Sequence, residues 1–434
     1  MCRSIVPIAL AIAALAGTNV LAQQPSGPGA SPALQQTPGA AGVGVPPVTL
    51  ANAIQFALEH NPELSAARRE IEAAEGARIQ AGAFQNPTLS IEIEDQRRET
   101  RTTTFLLSQP LELGGKRGAR MDAADRAIEV ARVQLEAKEA DLRANVTAAF
   151  FATLISQERV RLAQASLDLA NVGSQAAGKR VMAGKVSPVE ETKAKVAEAN
   201  VRLELVQARG ELQSNLQLLR ALTARASGIE AVDGNALAVP QPLPVDAVEE
   251  RLANSPSMRQ ARLEVQRLGA LSDLERAKRL PDITVSAGAK RAQEIGRSQA
   301  VIGISVPLPI FDTNRGNIVE ALRRQDKAED DARALELRLR ADVGAARQRY
   351  LTASTEVTAL LREILPGAQS AFDAASKGFE LGKFSYLDAL DAQRTLLQAR
   401  SQYLRSLADA HRSVTDLDRL LGGPAASGTT VFTP

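Results

Sequence analysis

The sequence predicts a mainly α protein with a small β part: a tandem repeat of long coiled-coil helices, with two strands in each half. Three observations carry this. First, a short motif occurs twice: 180–191 reads RVMAGKVSPVEE and 378–389 reads GFELGKFSYLDA, each separating two heptad-patterned segments. Second, the helix breakers recur in step. Asn61-Pro62 and Asn86-Pro87 return as Ser255-Pro256 and Leu280-Pro281, and Ser108-Gln109-Pro110-Leu111 returns as Ser305-Val306-Pro307-Leu308. Third, no proline falls between Lys116 and Pro188, a span that as one helix would reach about 100 Å at 1.5 Å per residue. Aromatic residues make up only 3% of the chain and Trp is absent, which suits shallow, Ala-rich helix packing better than a large globular core.

Taken in order, residues 1–22 read as a secretory signal, with Arg3, an apolar run over 5–16 and Val20-Leu21-Ala22 before Gln23. Cys2, the one cysteine, leaves with it, so no disulfide or thiolate chemistry is expected. Residues 23–47, rich in Pro, Gly, Ala and Ser, read as a disordered arm. The first repeat covers 48–223. A helix is expected over about 50–84, with Thr49 as its cap. Leu89, Ile91 and Ile93 then alternate with Ser90, Glu92 and Glu94, which is a strand with one apolar and one wet face. A second strand runs 102–109 and stops at Pro110. The long helix that follows has Ile128, Leu135 and Leu142 in heptads, and its return helix has Val189, Val196 and Leu203, then Leu205, Leu212 and Leu219.

Residues 224–245 form a Gly- and Pro-bearing linker, 246–422 the second repeat and 423–434 a tail. In the second repeat the strands fall over 282–289 and 300–306. The long helix spans about 316–381 with a kink at Pro366, and its seam holds Leu335, Leu339, Val343, Ala346 and Tyr350. The last helix carries Leu390, Leu397 and Leu404.

Four strands of about eight to ten residues match the span of tilted membrane strands, but a closed transmembrane barrel needs about eight strands or more. An exported chain of this kind would pool its strands with other copies, two giving eight and three giving twelve. The alternative is a small soluble sheet. The chain carries 52 basic residues, one of them Arg3 in the leader, against 50 acidic ones, so no basic excess marks a nucleic-acid surface.

The repeated motif reads as a pair of hairpin tips. In each, a Gly-Lys pair (Gly184-Lys185, Gly382-Lys383) is followed by a serine with an acid three residues on, Ser187…Glu190 and Ser385…Asp388, the pattern of a capping box. Asp391 adds a second acid one turn beyond Asp388. An exported chain of two such halves, with Gly-Lys tips and Asp-x-x-Asp at the second, resembles the outer-membrane efflux factor family, the TolC-like channels. Leu111-Glu112-Leu113-Gly114-Gly115-Lys116-Arg117 resembles the branch paired with cobalt–zinc–cadmium-type cation pumps.

The resemblance implies a homotrimer in the outer membrane of a Gram-negative bacterium. Its twelve-stranded barrel would continue into a periplasmic helical tube and work with a periplasmic adaptor and an inner-membrane pump. It places the pore gate at the second tip, here Asp388, Asp391, Phe379, Lys383 and Phe384. Two stacked rings of acid would favour cations at a narrow constriction; for Asp388 simple helix capping is the alternative. Phe379 and Phe384 stand where the family has a tyrosine and an arginine, so its hydrogen-bonded latch does not carry over, leaving an ion pair from Lys383 or apolar packing. Adaptor docking falls on Val181, Met182, Gly184, Lys185, Leu381 and Gly382, for which a glycine-permitted tight turn is the plainer reading.

His60 and His411 are the two imidazoles, and His411, one heptad after Leu404, reads as a seam or surface position. No His or Cys pair at ligand spacing points to a resident metal, and no cofactor is expected. Residues 178–185 superficially resemble a phosphate loop, but the glycine spacing is wrong and Val186 replaces the Ser/Thr. No nucleophile–base set stands out, so an enzyme is not expected. The cargo could be metal cations, organic solutes or a secreted protein. A different class of reading is a periplasmic coiled-coil adaptor.

Overall fold

The computed structural model describes residues 47–95, 97–225, 228–240 and 244–423. The leader at 1–22, the arm up to residue 46, parts of the linker and the tail from 424 lie outside the described residues. The helix expected over 50–84 is two helices, α1 (Leu50–His60) and α2 (Pro62–Ala81). Thr49 caps the first. Pro62 holds Asn61 extended, and the Asn61 side chain accepts the Glu63 N–H at 2.8 Å to start the second. The same device recurs in the second half, where Ser255 precedes Pro256.

Strand β1 (Thr88–Glu94) pairs antiparallel with β2 (Thr102–Leu111). β2 does not stop at Pro110, which lies opposite Thr284. Strand β1 has already ended opposite Ser108, so a residue without an N–H sits where one flank of β2 has no ladder to complete. Helix α3 (Lys116–Met182) and α4 (Pro188–Leu222) form the first hairpin. After the linker come α5 (Val245–Ala253) and α6 (Pro256–Ala277), the latter capped by Ser255 before Pro256. Strands β3 (Ile283–Ala292) and β4 (Arg297–Ser305) complete one sheet in the order β1-β2-β3-β4, all antiparallel.

The second long helix is broken into α7 (Arg315–Ala359), a π-helical turn Leu360–Ile364 and α8 (Leu365–Glu380). Pro366 supplies no N–H, and the backbone answers by widening the register just before it: Leu365 N–H reaches back five residues to Leu360 O. Helix α9 (Tyr386–Leu420) closes the second hairpin.

The register sorts the sheet into two faces. Leu89, Ile91 and Ile93 on β1 lie opposite Leu107, Phe105 and Thr103 on β2, and share their face with Val285, Ala287 and Ala289 on β3 and Ile304, Ile302 and Ala300 on β4. This apolar face is open, Ile302 being 81% exposed. The other face carries Ser90, Glu92, Glu94, Thr104, Ser286 and Lys290. On it the β2 and β3 backbones approach so closely that a Cβ on Gly288 would lie 1.9 Å from Phe105 O, so only glycine fits.

Below the sheet, side chains of the 111–117 segment tie strands to helices. Arg120 holds Glu112 through two bonds of 2.6 and 3.0 Å, and Gln85 adds a third at 3.2 Å. Lys116 reaches Asp282 at 2.7 Å, and Arg117 donates to Gly82 O at 2.6 Å. Together these join the α2–β1, β2–α3 and α6–β3 junctions. The main core lies further down, where Val146 and Phe150 of α3, Leu216 and Leu219 of α4, Leu64 of α2 and Leu407 of α9 meet Ile229 and Val232 of the linker. The linker is bound across the helices. The Gln157 amide exchanges bonds of 3.0 and 2.9 Å with Val232, Arg220 donates to Ile229 O, and Tyr350 donates to Pro240 O at 2.9 Å. Among the described residues no helix is long and apolar enough to cross a membrane.

Candidate functional site

The two hairpin tips are built alike. Gly184 (φ 69°) and Gly382 (φ 73°) take the left-handed conformation that ends α3 and α8. Lys185 N–H then returns to Arg180 O at 2.9 Å, and Lys383 N–H to Gly378 O at 2.7 Å. The next helix opens on a serine in both. At the second tip the full capping box forms: Ser385 Oγ accepts from Asp388 N–H, and Asp388 Oδ2 accepts from Ser385 N–H and Oγ–H at 2.9 and 2.8 Å. Those bonds hold the Asp388 carboxyl below its ordinary range, so it stays ionised well into acid. At the first tip the Ser187 hydroxyl accepts from Val189 N–H instead. Asp388 and Asp391 both stand exposed on the first turns of α9.

The remaining tip residues divide by surroundings. Met182 (82% exposed) and Leu381 (63%) project from the two apices, with Gly184, Lys185, Gly382 and Lys383 exposed beside them and Val181 half-buried. Phe384 folds back over Gly378, whose Cβ, if it had one, would lie 2.1 Å from the ring; at the equivalent place in the first tip stands Arg180. Phe379 is drawn inward against Ala177, Ala194 and Leu390, between the two hairpins.

Arg180 makes a tip contact that sequence reasoning missed. Its guanidinium donates to Phe379 O at 2.8 Å and lies over the Phe379 ring, 3.9 Å from the centroid. A polar tip-to-tip contact therefore exists, with its cation on the first hairpin and not the second. A charge-assisted hydrogen bond and a cation–π contact together contribute on the order of 2 kcal/mol. The available signal was positional: Arg180 and Gly378 occupy the same place in the two repeats, a large residue facing a small one.

Beside the tips, α4 and α9 wall a groove of about 960 Å³ floored by α3. Val189, Val196 and Leu203, one expected heptad seam, line it more than half exposed, whereas Leu205 and Leu219 of the other seam are buried. His411 is buried and not at the surface. It stacks on Phe151 at 4.0 Å, a backbone group of Ala238 bonds it, and burial pushes its pKa down to about 4. Among the described residues no group of three or more potential metal ligands gathers.

At the sheet, Phe84 (72% exposed) and Phe311 (99%) stand at the helix-side end of the strands. They were also missed, because neither lies in an alternating segment. Phe105 sits on the apolar face, opposite Ile91.

A profile of the family described as "Outer membrane efflux protein" matches residues 53–225 and 247–423, nearly all of the described chain. The chain belongs to the outer membrane efflux protein family. It is thus a channel protein of the outer membrane, with its helices on the periplasmic side, and not an enzyme. Among relatives, it is 44% identical to the cobalt-zinc-cadmium resistance protein CzcC of Cupriavidus metallidurans, over 97% of this chain and 100% of that protein. It is 30% identical to the nickel and cobalt resistance protein CnrC of the same organism, over 67% of this chain and 70% of that one. In fold it is similar to the outer membrane protein VceC of Vibrio cholerae (TM-score 0.71, 20% identity, 86% of this chain and 96% of that chain). It is also similar to the MtrE outer membrane channel of Neisseria gonorrhoeae (TM-score 0.74, 21% identity, 86% and 89%). These last two show the fold alone.

Proposed function

We propose that three copies of this chain close a twelve-stranded barrel and a helical tube, and that this duct passively conducts divalent heavy-metal cations out of the cell. The observation that carries the reading is the match to a cobalt-zinc-cadmium resistance protein over that protein's entire length. The open edges of β1 and β4 support the assembly, since each is a row of backbone groups that a neighbouring copy would complete. The apolar face would meet lipid. The face with Glu92, Glu94 and Lys290 would then line the pore.

In this reading each half, 48–223 and 246–422, is one repeat joined by a connector at 224–245. The second tips gate the periplasmic end: Asp388 and Asp391 form two acidic rings, Phe379 and Phe384 pack the constriction, and Lys383 pairs with a neighbouring copy. Val181, Met182, Gly184, Lys185, Leu381 and Gly382 dock a periplasmic adaptor, and an inner-membrane pump supplies the energy. In this reading metal is cargo that the duct conducts.

Growth of a deletion strain tests this, complemented with the wild type or with Asp388→Ala/Asp391→Ala, on zinc, cobalt, cadmium and nickel salts and on hydrophobic dyes. The expected result is sensitivity to divalent metals, rescued by the wild type and incompletely by the double variant. Dye sensitivity with normal metal tolerance would overturn the cargo while keeping the duct.

A further inference from the structure

The apolar face of the sheet ends abruptly in charge at the turns, away from the helices. Five arginines gather there: Arg97, Arg98 and Arg101 in the β1–β2 turn, and Arg291 and Arg297 at the β3–β4 turn. All are exposed, and none forms a salt bridge with a described residue. The basic residue next to them, Lys290, is by contrast held by Glu94 at 3.3 Å. Three acids share this end. Asp95 is occupied by the turn itself, accepting from Arg97 N–H at 3.0 Å and from the Thr100 hydroxyl at 2.5 Å, which leaves Glu99 and Glu294.

Register makes the cluster more than a charged loop. Arg291 lies opposite Thr103 and Ser298, on the same face as Ala289, Ala287 and Val285. The ladder continues one step beyond β2, with Gln293 N–H donating to Arg101 O at 3.0 Å. Alternation therefore puts Arg101 on that face as well, one step past Thr103. Two guanidiniums on adjacent strands thus cap the lipid-facing band at one end, as Phe84 and Phe311 bound it at the other. Because the helices are periplasmic, the arginine end faces the outer leaflet.

We propose that this arginine rim, centred on Arg101 and Arg291, binds the phosphate groups of outer-leaflet lipid headgroups and so sets the depth and lateral packing of the barrel. The chemistry is the planar guanidinium fork on a phosphate, which binds two oxygens at once, on a surface where each cation adds to the attraction. The apolar face directly beneath gives the lipid's acyl chains their own contact. This commits the rim to a lipid and not to a soluble phosphate. The inference rests on the barrel reading above.

The test uses the full chain, purified as its oligomer and reconstituted in discs of neutral phosphatidylcholine, titrated with bis-phosphorylated lipid A and, in parallel, with lipid A stripped of both phosphates. Divalent-cation concentration is held fixed. The wild type should retain the phosphorylated form at least tenfold better, and Arg101→Gln/Arg291→Gln should weaken that binding about 30-fold. Arg323→Gln, exposed in the third turn of α7 where it pairs with Asp326, lies on the helix side of the sheet, serves as a control and should change nothing. Millimolar inorganic phosphate should fail to displace the lipid.

Equal retention of the two lipids by the wild type overturns the proposal without any variant having to fold. So does displacement by inorganic phosphate, or an unchanged double variant. If the chain forms no heat-modifiable oligomer at all, the barrel reading fails and takes this inference with it. A normal oligomer that does not discriminate between the lipids removes the rim alone.

Discussion

His411 shows how burial turns a heptad position into a pH-sensitive one. Its folded pKa near 4 lies below the ordinary 6.5, so between those values the unfolded chain binds the proton and the folded chain does not. Stability is therefore undiminished above about pH 6.5 and falls as pH drops towards 4, by about 2 kcal/mol at pH 5. His411→Phe should flatten that acid limb in thermal unfolding followed by the helical signal; an unchanged pH slope would mean other groups dominate. At the tips, Arg180→Met keeps the stem of the side chain but removes the contact with Phe379. If the tips gate the pore as proposed and this contact belongs to the closed state, losing about 2 kcal/mol should raise the open fraction about 30-fold, read as open probability in planar bilayers. Equal opening of the two forms would show that Arg180 merely braces the hairpins.

At the scale of elements, the 111–117 segment is a joint between strand and helix. Its value to the sequence reading was as a family marker, whereas in the structure it carries the network Arg120–Glu112–Gln85 and Lys116–Asp282. Glu112 is 9% exposed, and neutralising it leaves Arg120 without its ion-pair partner, with only the bond to Ala81 O unaffected. Glu112→Gln should cost about 1–3 kcal/mol, lowering the melting temperature of the helices without altering tip contacts. Retained stability would move the joint to Lys116–Asp282. Element order was legible from proline spacing and heptads, because breakers and periodicity act locally. The split at Asn61-Pro62 was visible in the same signal and was overridden by the long apolar pattern. The π turn before Pro366 was not legible, since a proline can be accommodated by a kink or by a register change, and neighbouring helices decide which.

For the whole molecule, one chain leaves a sheet with two open edges and an uncovered apolar face, which favours assembly and membrane burial together. The chain should migrate as a trimer unheated and as a monomer after boiling. Ile91→Arg, in the middle of the apolar face, should cost roughly 2–4 kcal/mol and strongly reduce the trimer, whereas Ser90→Arg on the opposite face should leave it intact. Equal loss for both would mean that the apolar face does not meet lipid.

Alternation, heptads and capping are written at short range, so the residues alone set the order of helices and strands, the amphipathic sheet, the twin tips and the resemblance that names the family. Contacts distant in sequence needed the folded chain. Arg180 meets Phe379 across 199 positions, and Lys116 meets Asp282 across 166. His411 becomes buried because α9 packs beside α3, where Phe151 stacks on it. No local pattern encodes which helix lies beside which, since that choice is made by summed packing over the length of the bundle. The Arg180–Phe379 contact and the strand–helix joint were therefore decided by tertiary structure.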